Sequence, residues 1–252
     1  MAAPPLNAPL CHDQKLEEGA TIPLRKQHVR GLTARGIKVK EAFTIVDGEG
    51  TFFRASLKGM DEKGGKALVY ERMGSSTESP AQITLVCAVL GRQRMMVVMQ
   101  KATELGVARI VPVVSEHSVQ RDGLNHQKAH AWPNQVLRAA RQCRRASLPE
   151  VLSAVDLKDA LAAPYFVDAS LRVYLDDRAD SGDALGERVP RAERQARTIA
   201  LLAGPEGGWS DAERDLLRNK DVRPLRVGGR VLRAETAVLS GLTLLQHAYG
   251  DM

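Results

Sequence analysis

The chain has 252 residues, 44% of them apolar, and its 36 basic against 30 acidic side chains give a formal net charge of +6. It is long enough to bury a substantial core as one large domain or two modest ones, and no apolar stretch approaches the roughly 20 residues that span a bilayer. Three cysteines without CxxC or Cys/His spacing argue against a disulfide framework or a metal site. The first ten residues lack the charged-then-apolar order of an export signal, so a cytoplasmic protein with no membrane contact is expected.

In chain order, residues 22–40 come first, with Arg25, Lys26, Arg30, Arg35, Lys38 and Lys40 and no acid among them. Residues 42–46 and 51–57 then read as strands, split by the hairpin-like turn Asp47-Gly48-Glu49-Gly50, and residues 66–70 as a third. A small β domain over residues 1–75 is predicted, followed by a polar linker at 74–80. Residues 82–90 form a near-continuous apolar strand. Met95, Val98, Met99, Ala102 and Leu105 recur at helical spacing, with Gly106 placed for a left-handed cap. Residues 110–114 give the next strand, and a strand, crossover helix and strand imply a parallel sheet and an α/β domain over residues 76–252.

A second basic run, residues 121–145, holds Arg121, Lys128, Arg138, Arg141, Arg144 and Arg145 against one acid, Asp122. Both runs suit either a polyanion or a plain solvated face. Aromatic residues are 4% of the chain, so a base-stacking platform is not expected, and any RNA contact should run through phosphates. Trp132-Pro133 interrupts a helix, which starts at Asn134 or kinks there. Residues 164–168 and 198–203 supply two more strands, and residues 170–197 read as an exposed connection without chemistry.

Two glycine-loosened loops near the C-terminus carry the chemistry. Gly204-Pro205-Glu206-Gly207-Gly208-Trp209-Ser210 leaves an inner strand and enters a helix through the capping box Ser210-Asp211-Ala212-Glu213. Its glycines allow close backbone approach to a ligand, and Glu206 is placed to accept hydrogen bonds or brace a neighbouring loop; a tight turn alone is the plainer reading. Val227-Gly228-Gly229-Arg230-Val231-Leu232-Arg233-Ala234-Glu235-Thr236-Ala237 leads into the last helix. An arginine there suits negative charge developing on a reacting base, whereas an ordinary Arg233–Glu235 ion pair is the alternative. Neither a Gly-x-Gly-x-x-Gly fingerprint nor a Walker loop is present.

With Leu202-Ala203 preceding it, the first loop together with the second resembles the paired signature of the bacterial 16S ribosomal RNA uridine-N3 methyltransferases, a branch of the SPOUT superfamily. Gln100-Lys101-Ala102-Thr103-Glu104-Leu105-Gly106-Val107 and the stretch Gln142-Cys143-x-Arg145 with Pro149-Glu150 match the same family in the same order. The resemblance implies an N-terminal PUA-like β-barrel that helps hold RNA and a C-terminal trefoil-knot domain that binds S-adenosylmethionine and forms a homodimer.

On that resemblance the cofactor site comprises Leu202, Ala203, Gly204, Pro205, Glu206, Gly207, Gly208, Val227, Gly228, Val231, Leu232, Arg233 and Thr236. Arg233 is implied to stabilise the uridine anion, with Glu235 positioning it or accepting hydrogen bonds. RNA contacts are implied for Arg25, His28, Arg30, Arg35, Lys101, Arg138, Gln142 and Arg145, with the small ribosomal subunit or its RNA as partner. Glu104 and Glu116 lie in family motifs but suit bracing of arginines equally well. The chain departs from the pattern at His117, usually arginine, at Arg141, usually glutamate, and at Ala234, often threonine. Two alternatives stand beside this reading: a knotted methyltransferase of transfer RNA or large-subunit RNA, and a non-catalytic RNA-binding assembly factor.

Overall fold

Alternating side chains build the first part of the molecule. In β1 (Thr21–Arg25) Ile22 and Leu24 point inward between exposed neighbours, and α1 (Lys26–Ala34) turns Leu32 to the same core. β2 (Ala42–Val46), β3 (Phe52–Met60) and β4 (Gly64–Arg72) complete a four-stranded antiparallel sheet in the order β1-β4-β3-β2. Ile45, Phe53, Leu57 and Val69 fill it. The turn between β2 and β3 is held by Asp47, whose carboxylate accepts from the backbone N–H groups of Glu49 and Thr51 at 2.9 and 2.8 Å and of Leu16 at 3.3 Å. Burial pushes that carboxyl up, but the three N–H groups outweigh it and hold it below its ordinary range.

The structure, a computed structural model, describes residues 7–179 and 198–252. Its contacts divide the chain into two compact units, Met1–Glu78 with Leu137–Glu150, and Ser79–Val136 with Val151–Met252. Residues 137–150, read from sequence within the second domain, thus group with the first. Glu78, in the stretch read as a linker, explains part of this grouping: it accepts from the N–H groups of Ala146 and Ser147 and from the Arg145 guanidinium at 2.7 Å.

The second unit contains β5 (Gln82–Ala88), α2 (Arg92–Glu104), β6 (Arg109–Val114), the start of α3 (Trp132–Gln142) as far as Val136, the Val151 end of the short β7 (Glu150–Val151), β8 (Val155–Asp156), α4 (Leu157–Ala160), α5 (Pro164–Val167), β9 (Leu171–Leu175), β10 (Thr198–Ala203), α6 (Asp211–Asn219), β11 (Arg223–Leu225) and α7 (Ala234–Tyr249). Its sheet runs β11-β9-β10-β5-β6-β7, with β8 also beside β6, and the ladders from β11 through β6 are parallel. Parallel strands buried on both faces need continuous apolar runs, and β5 shows why. Ile83, Leu85 and Cys87 face one cluster with Met95, Val98 and Met99 of α2 and Val238, Leu242 and Leu245 of α7. Val86 and Ala88 face the other, with Leu202, Trp209 and Leu217. Each buried Val, Leu, Ile or Met among them contributes about 1.5–3 kcal/mol. Gly106, at φ +78°, closes α2 as a left-handed cap.

Three local expectations change. Residues 164–168 are not a strand: Pro164 sits at the first position of a short helix, α5, where its fixed φ and missing N–H cost nothing. The strand lies just beyond, at β9, inside the stretch read as an exposed connection; β9 is an inner strand, while residues 180–197 of that stretch lie outside the described residues. Pro133 does not delay α3, which begins at Trp132 and takes the proline into its first turn.

Candidate functional site

Both glycine loops leave the carboxyl ends of parallel strands, β10 and β11, that flank β9. The first follows β10 and enters α6 through the capping box: Ser210 Oγ accepts from the Glu213 N–H at 3.3 Å, and the Glu213 carboxylate accepts from the Ser210 N–H at 2.9 Å. The second follows β11 and enters α7 with Arg233 as its N-cap. Between them lies one cavity of about 430 Å³, lined by Gly204, Pro205 and Glu206 of the first loop, by Val227, Leu232 and Arg233 of the second, and by Arg94 and residues 175–178. Clefts of roughly 300–1,000 Å³ at strand ends are where parallel sheets bind small molecules.

The first loop's shape is set by contacts that only glycine permits. A Cβ on Gly204 would stand 3.0 Å from the Trp209 indole, and one on Gly207 would stand 2.9 Å from His117 Cβ. Gly208 has φ +72°. Trp209 Nε1 donates to the Leu175 carbonyl at 3.0 Å, tying the loop to the end of β9. His117 Nδ1 donates to the Gly208 carbonyl at 3.1 Å.

Two ion pairs brace the cavity. Arg214 and Asp176 meet at 3.0 Å with side chains 6% and 5% exposed, and Arg214 also donates to the Trp209 carbonyl. Burial disfavours the Arg214 cation, but Asp176 and Asp211 hold its pKa above the ordinary value. Glu206 accepts from Arg94 Nη1 at 2.7 Å and from the Gly91 N–H at 3.0 Å. Burial pushes the Glu206 carboxyl up, yet those donors leave it below its usual range. Glu235 faces the same guanidinium, 3.6 Å from Arg94 Nε, so the ion pair imagined between Arg233 and Glu235 is made by Arg94 instead. Glu235 Oε2 is buried and accepts no hydrogen bond.

Of the cofactor residues read from sequence, Ala203, Gly204, Pro205, Glu206, Gly207, Gly208, Val227, Val231, Leu232 and Arg233 line this cavity. Leu202 does not; it packs in the core beneath. Gly228, at φ +70°, supplies the bend of the second loop, and Thr236 is exposed on α7 outside the lining. Among the residues read as RNA contacts, Arg25, Arg30, Arg138 and Gln142 are exposed, and Lys101 pairs with Glu104 at 2.8 Å. His28 and Arg35 are buried, and the Arg145 side chain is 6% exposed. His28 accepts the Arg25 N–H and donates to the Cys11 carbonyl, Arg35 donates to the Gly31 and Ala8 carbonyls, and Arg145 serves Glu78. Their bonds hold the first unit together and keep them from a solvent-facing surface.

Arg94, Asp176 and Arg214 escaped sequence reading. Arg94 meets Glu206 across 112 residues and Arg214 meets Asp176 across 38, and no local pattern links either pair. Among the described residues no group of three or more His, Cys, Asp or Glu is placed to hold a metal ion, and no helix is long and apolar enough to cross a membrane. Burial pushes the Cys87 thiol up to about 12, with Glu206 adding to it, so this cysteine is a packing group and not a nucleophile.

Comparison with known proteins agrees with this geometry. Residues 77–246 match the family model described as an RNA methyltransferase domain. The Ribosomal RNA small subunit methyltransferase E of Aquifex aeolicus (strain VF5) is 28% identical over 230 residues, which cover 91% of this chain and 95% of the relative. The crystal structure of a Ribosomal RNA small subunit methyltransferase E from Neisseria gonorrhoeae bound to S-adenosyl methionine superposes with TM-score 0.65 at 27% identity, covering 97% and 99% of the two chains. A Legionella pneumophila structure in complex with the bound cofactor SAM gives 0.64 at 30% identity, covering 96% and 98%.

Proposed function

Because the chain belongs to the RNA methyltransferase domain family, in the branch of the ribosomal RNA small subunit methyltransferase E proteins, we propose that it methylates N3 of a uridine in small-subunit (16S) ribosomal RNA with S-adenosylmethionine as donor. The observation that carries this reading is the meeting of the two glycine loops in one cavity. The residues there suit the donor: Pro205, Leu225 and Val227 offer apolar walls to an adenine, the glycines bring backbone N–H and C=O groups to the cavity, and the exposed Asp177 supplies negative charge for a cationic tail. When bound, S-adenosylmethionine supplies an electrophilic methyl group on a sulfonium.

The chain's own task is to make N3 a nucleophile. Protonated N3 reacts poorly, so its proton must leave and the resulting charge over N3, O2 and O4 must be stabilised. Arg233, exposed at the cavity and fixed as the N-cap of α7, is the cation for that charge. Glu235, the second residue of α7 and half-buried beside Arg94, positions the loop that presents it. In-line geometry between donor and N3 supplies much of the remaining rate.

The same reading makes the protein a cytoplasmic homodimer whose N-terminal domain, residues 1–75, helps hold RNA. Val231, 82% exposed in the second loop beside the cavity, supports a second copy covering this region. Mapping of modified nucleotides in 16S RNA with and without the protein tests the reaction: one uridine should lose its N3 methyl group when the protein is absent. Unchanged modification would refute it.

A further inference from the structure

The first unit has a cavity of its own, and four guanidinium groups stand around it. Arg35, Arg54, Arg141 and Arg145 line a space of about 30 Å³ together with Phe43 and Thr44. Two carboxylates are committed to them, Glu41 to Arg141 at 2.6 Å and Glu78 to Arg145 at 2.7 Å. Arg54 stands differently. It is 8% exposed, and among the described residues its one hydrogen-bond partner is Thr44, whose Oγ1 accepts from Nη1 at 2.9 Å. Its buried Nε has no acceptor. A guanidinium carries five N–H donors, and leaving a buried one without an acceptor is costly.

The strand is shaped to hold it there: the register of β3 against β4 shifts between Arg54 and Ala55, a bulge of the kind that re-aims a side chain. Burial also pulls the pKa of the neighbouring Arg35 below the ordinary arginine range, with Glu78 opposing. We infer that this cavity is a phosphate-binding site, in which one phosphate group supplies the acceptor that Arg54 lacks. Size fixes the class of ligand. One water needs about 10–15 Å³, so this space admits the oxygens of a single phosphate and excludes a base. Guanidinium forks match phosphate oxygens in charge and geometry. The inference leans on the functional reading only for the phosphate's source, the RNA backbone; free orthophosphate presents the same oxygens.

The test uses the full chain and inorganic phosphate. Phosphate should raise the melting temperature above that in chloride of matched ionic strength, by linkage to the folded state. Arg54→Met, which removes the guanidinium and keeps much of its volume, should abolish the difference. Arg141→Gln, a change at an exposed position that leaves folding intact, should weaken the phosphate midpoint several-fold, and both variants should bind S-adenosylmethionine as the parent does. Equal melting of the parent chain in phosphate and chloride overturns the site. In RNA titrations, a salt slope smaller by about 0.7–0.9 in Arg54→Met assigns the phosphate to the RNA backbone, and an unchanged slope assigns it to free phosphate. Failure of the parent chain to bind S-adenosylmethionine would defeat the functional reading while leaving the phosphate result standing.

Discussion

Arg94 Nη1 lies 2.7 Å from Glu206 Oε1, although 112 residues separate them in the chain. The same guanidinium stands 3.6 Å from Glu235, so one cation in the first turn of α2 ties the loop after β10 to the start of α7. The two loops that line the cavity are therefore positioned against each other through a third element.

Glu206 gives this bracing a pH dependence. Its folded pKa is below that of a free glutamate, about 4.3, because Arg94 and the Gly91 N–H overcome the effect of burial. The stabilisation is thus fully present above the unfolded value and is lost as pH falls through the folded one. In urea unfolding, Glu206→Gln should be less stable than the parent at neutral pH, and the gap should close in acid. A gap that stays constant down to pH values below the carboxylate range would mean that the ion pair contributes nothing.

Arg214 and Asp176 form the stronger pair because both are buried. Arg214→Met would leave the Asp176 carboxylate in the core without its cation and should cost about 3 kcal/mol. Replacing both, with Asp176→Leu, should cost less than the sum of the single changes, since no charge is then stranded. Because Arg214 also holds the Trp209 carbonyl, the single variant should bind S-adenosylmethionine more weakly. A double-mutant cycle by urea unfolding with cofactor titration reads both effects, and additive costs would show the two groups to be uncoupled.

How much of this was legible depended on whether the cause was local. The turn at Asp47 and the Ser210–Glu213 capping box announce themselves because their hydrogen bonds join residues two to four apart, and β10 because its apolar run is continuous. Short apolar runs carry no such mark. Residues 164–168 are as apolar as a strand but follow a helix-starting proline, while β9 sits among charged neighbours that disguise it. Charge is likewise blind to burial: Arg35 and Arg145 count toward a basic run, yet their guanidinium groups are spent on carbonyls and on Glu78. The long-range pairs of Arg94 and Arg214 exist only once the sheet has brought loop and helix together.

Gly204 and Gly228 should fail for different reasons. An alanine Cβ at Gly204 would press on the Trp209 indole at 3.0 Å, in a loop that cannot retreat because Trp209 is hydrogen-bonded to Leu175. Overpacking of this kind costs about 1–3 kcal/mol, and Gly204→Ala should lose measurable cofactor binding. At Gly228 no atom lies within 4 Å of an added Cβ, but φ is +70°, so Gly228→Ala should cost about 1 kcal/mol of backbone strain. Melting curves paired with cofactor titration separate the two, and equal effects on binding would refute the distinction.

His28 makes the first unit sensitive to acid. Its Nδ1 accepts the Arg25 N–H at 2.9 Å while Nε2 donates to the Cys11 carbonyl at 2.8 Å, an arrangement that the neutral ring alone can make. Protonating Nδ1 would set a donor against a donor at the N-terminus of α1. Burial is the chief cause holding the His28 pKa below its usual value, with the stacked His12 ring adding to it and the Cys11 carbonyl opposing. A base whose folded pKa is depressed contributes stability that is complete above the unfolded value, about 6.5, and that declines as pH falls toward the folded one. The chain should therefore lose stability on acidification below about pH 6.5, with His28 titrating in NMR spectra below a free histidine. His28→Gln, whose amide can still accept the Arg25 N–H, should remove that part of the pH dependence. A His28 titration at or above the ordinary histidine value would overturn this account of the α1 cap.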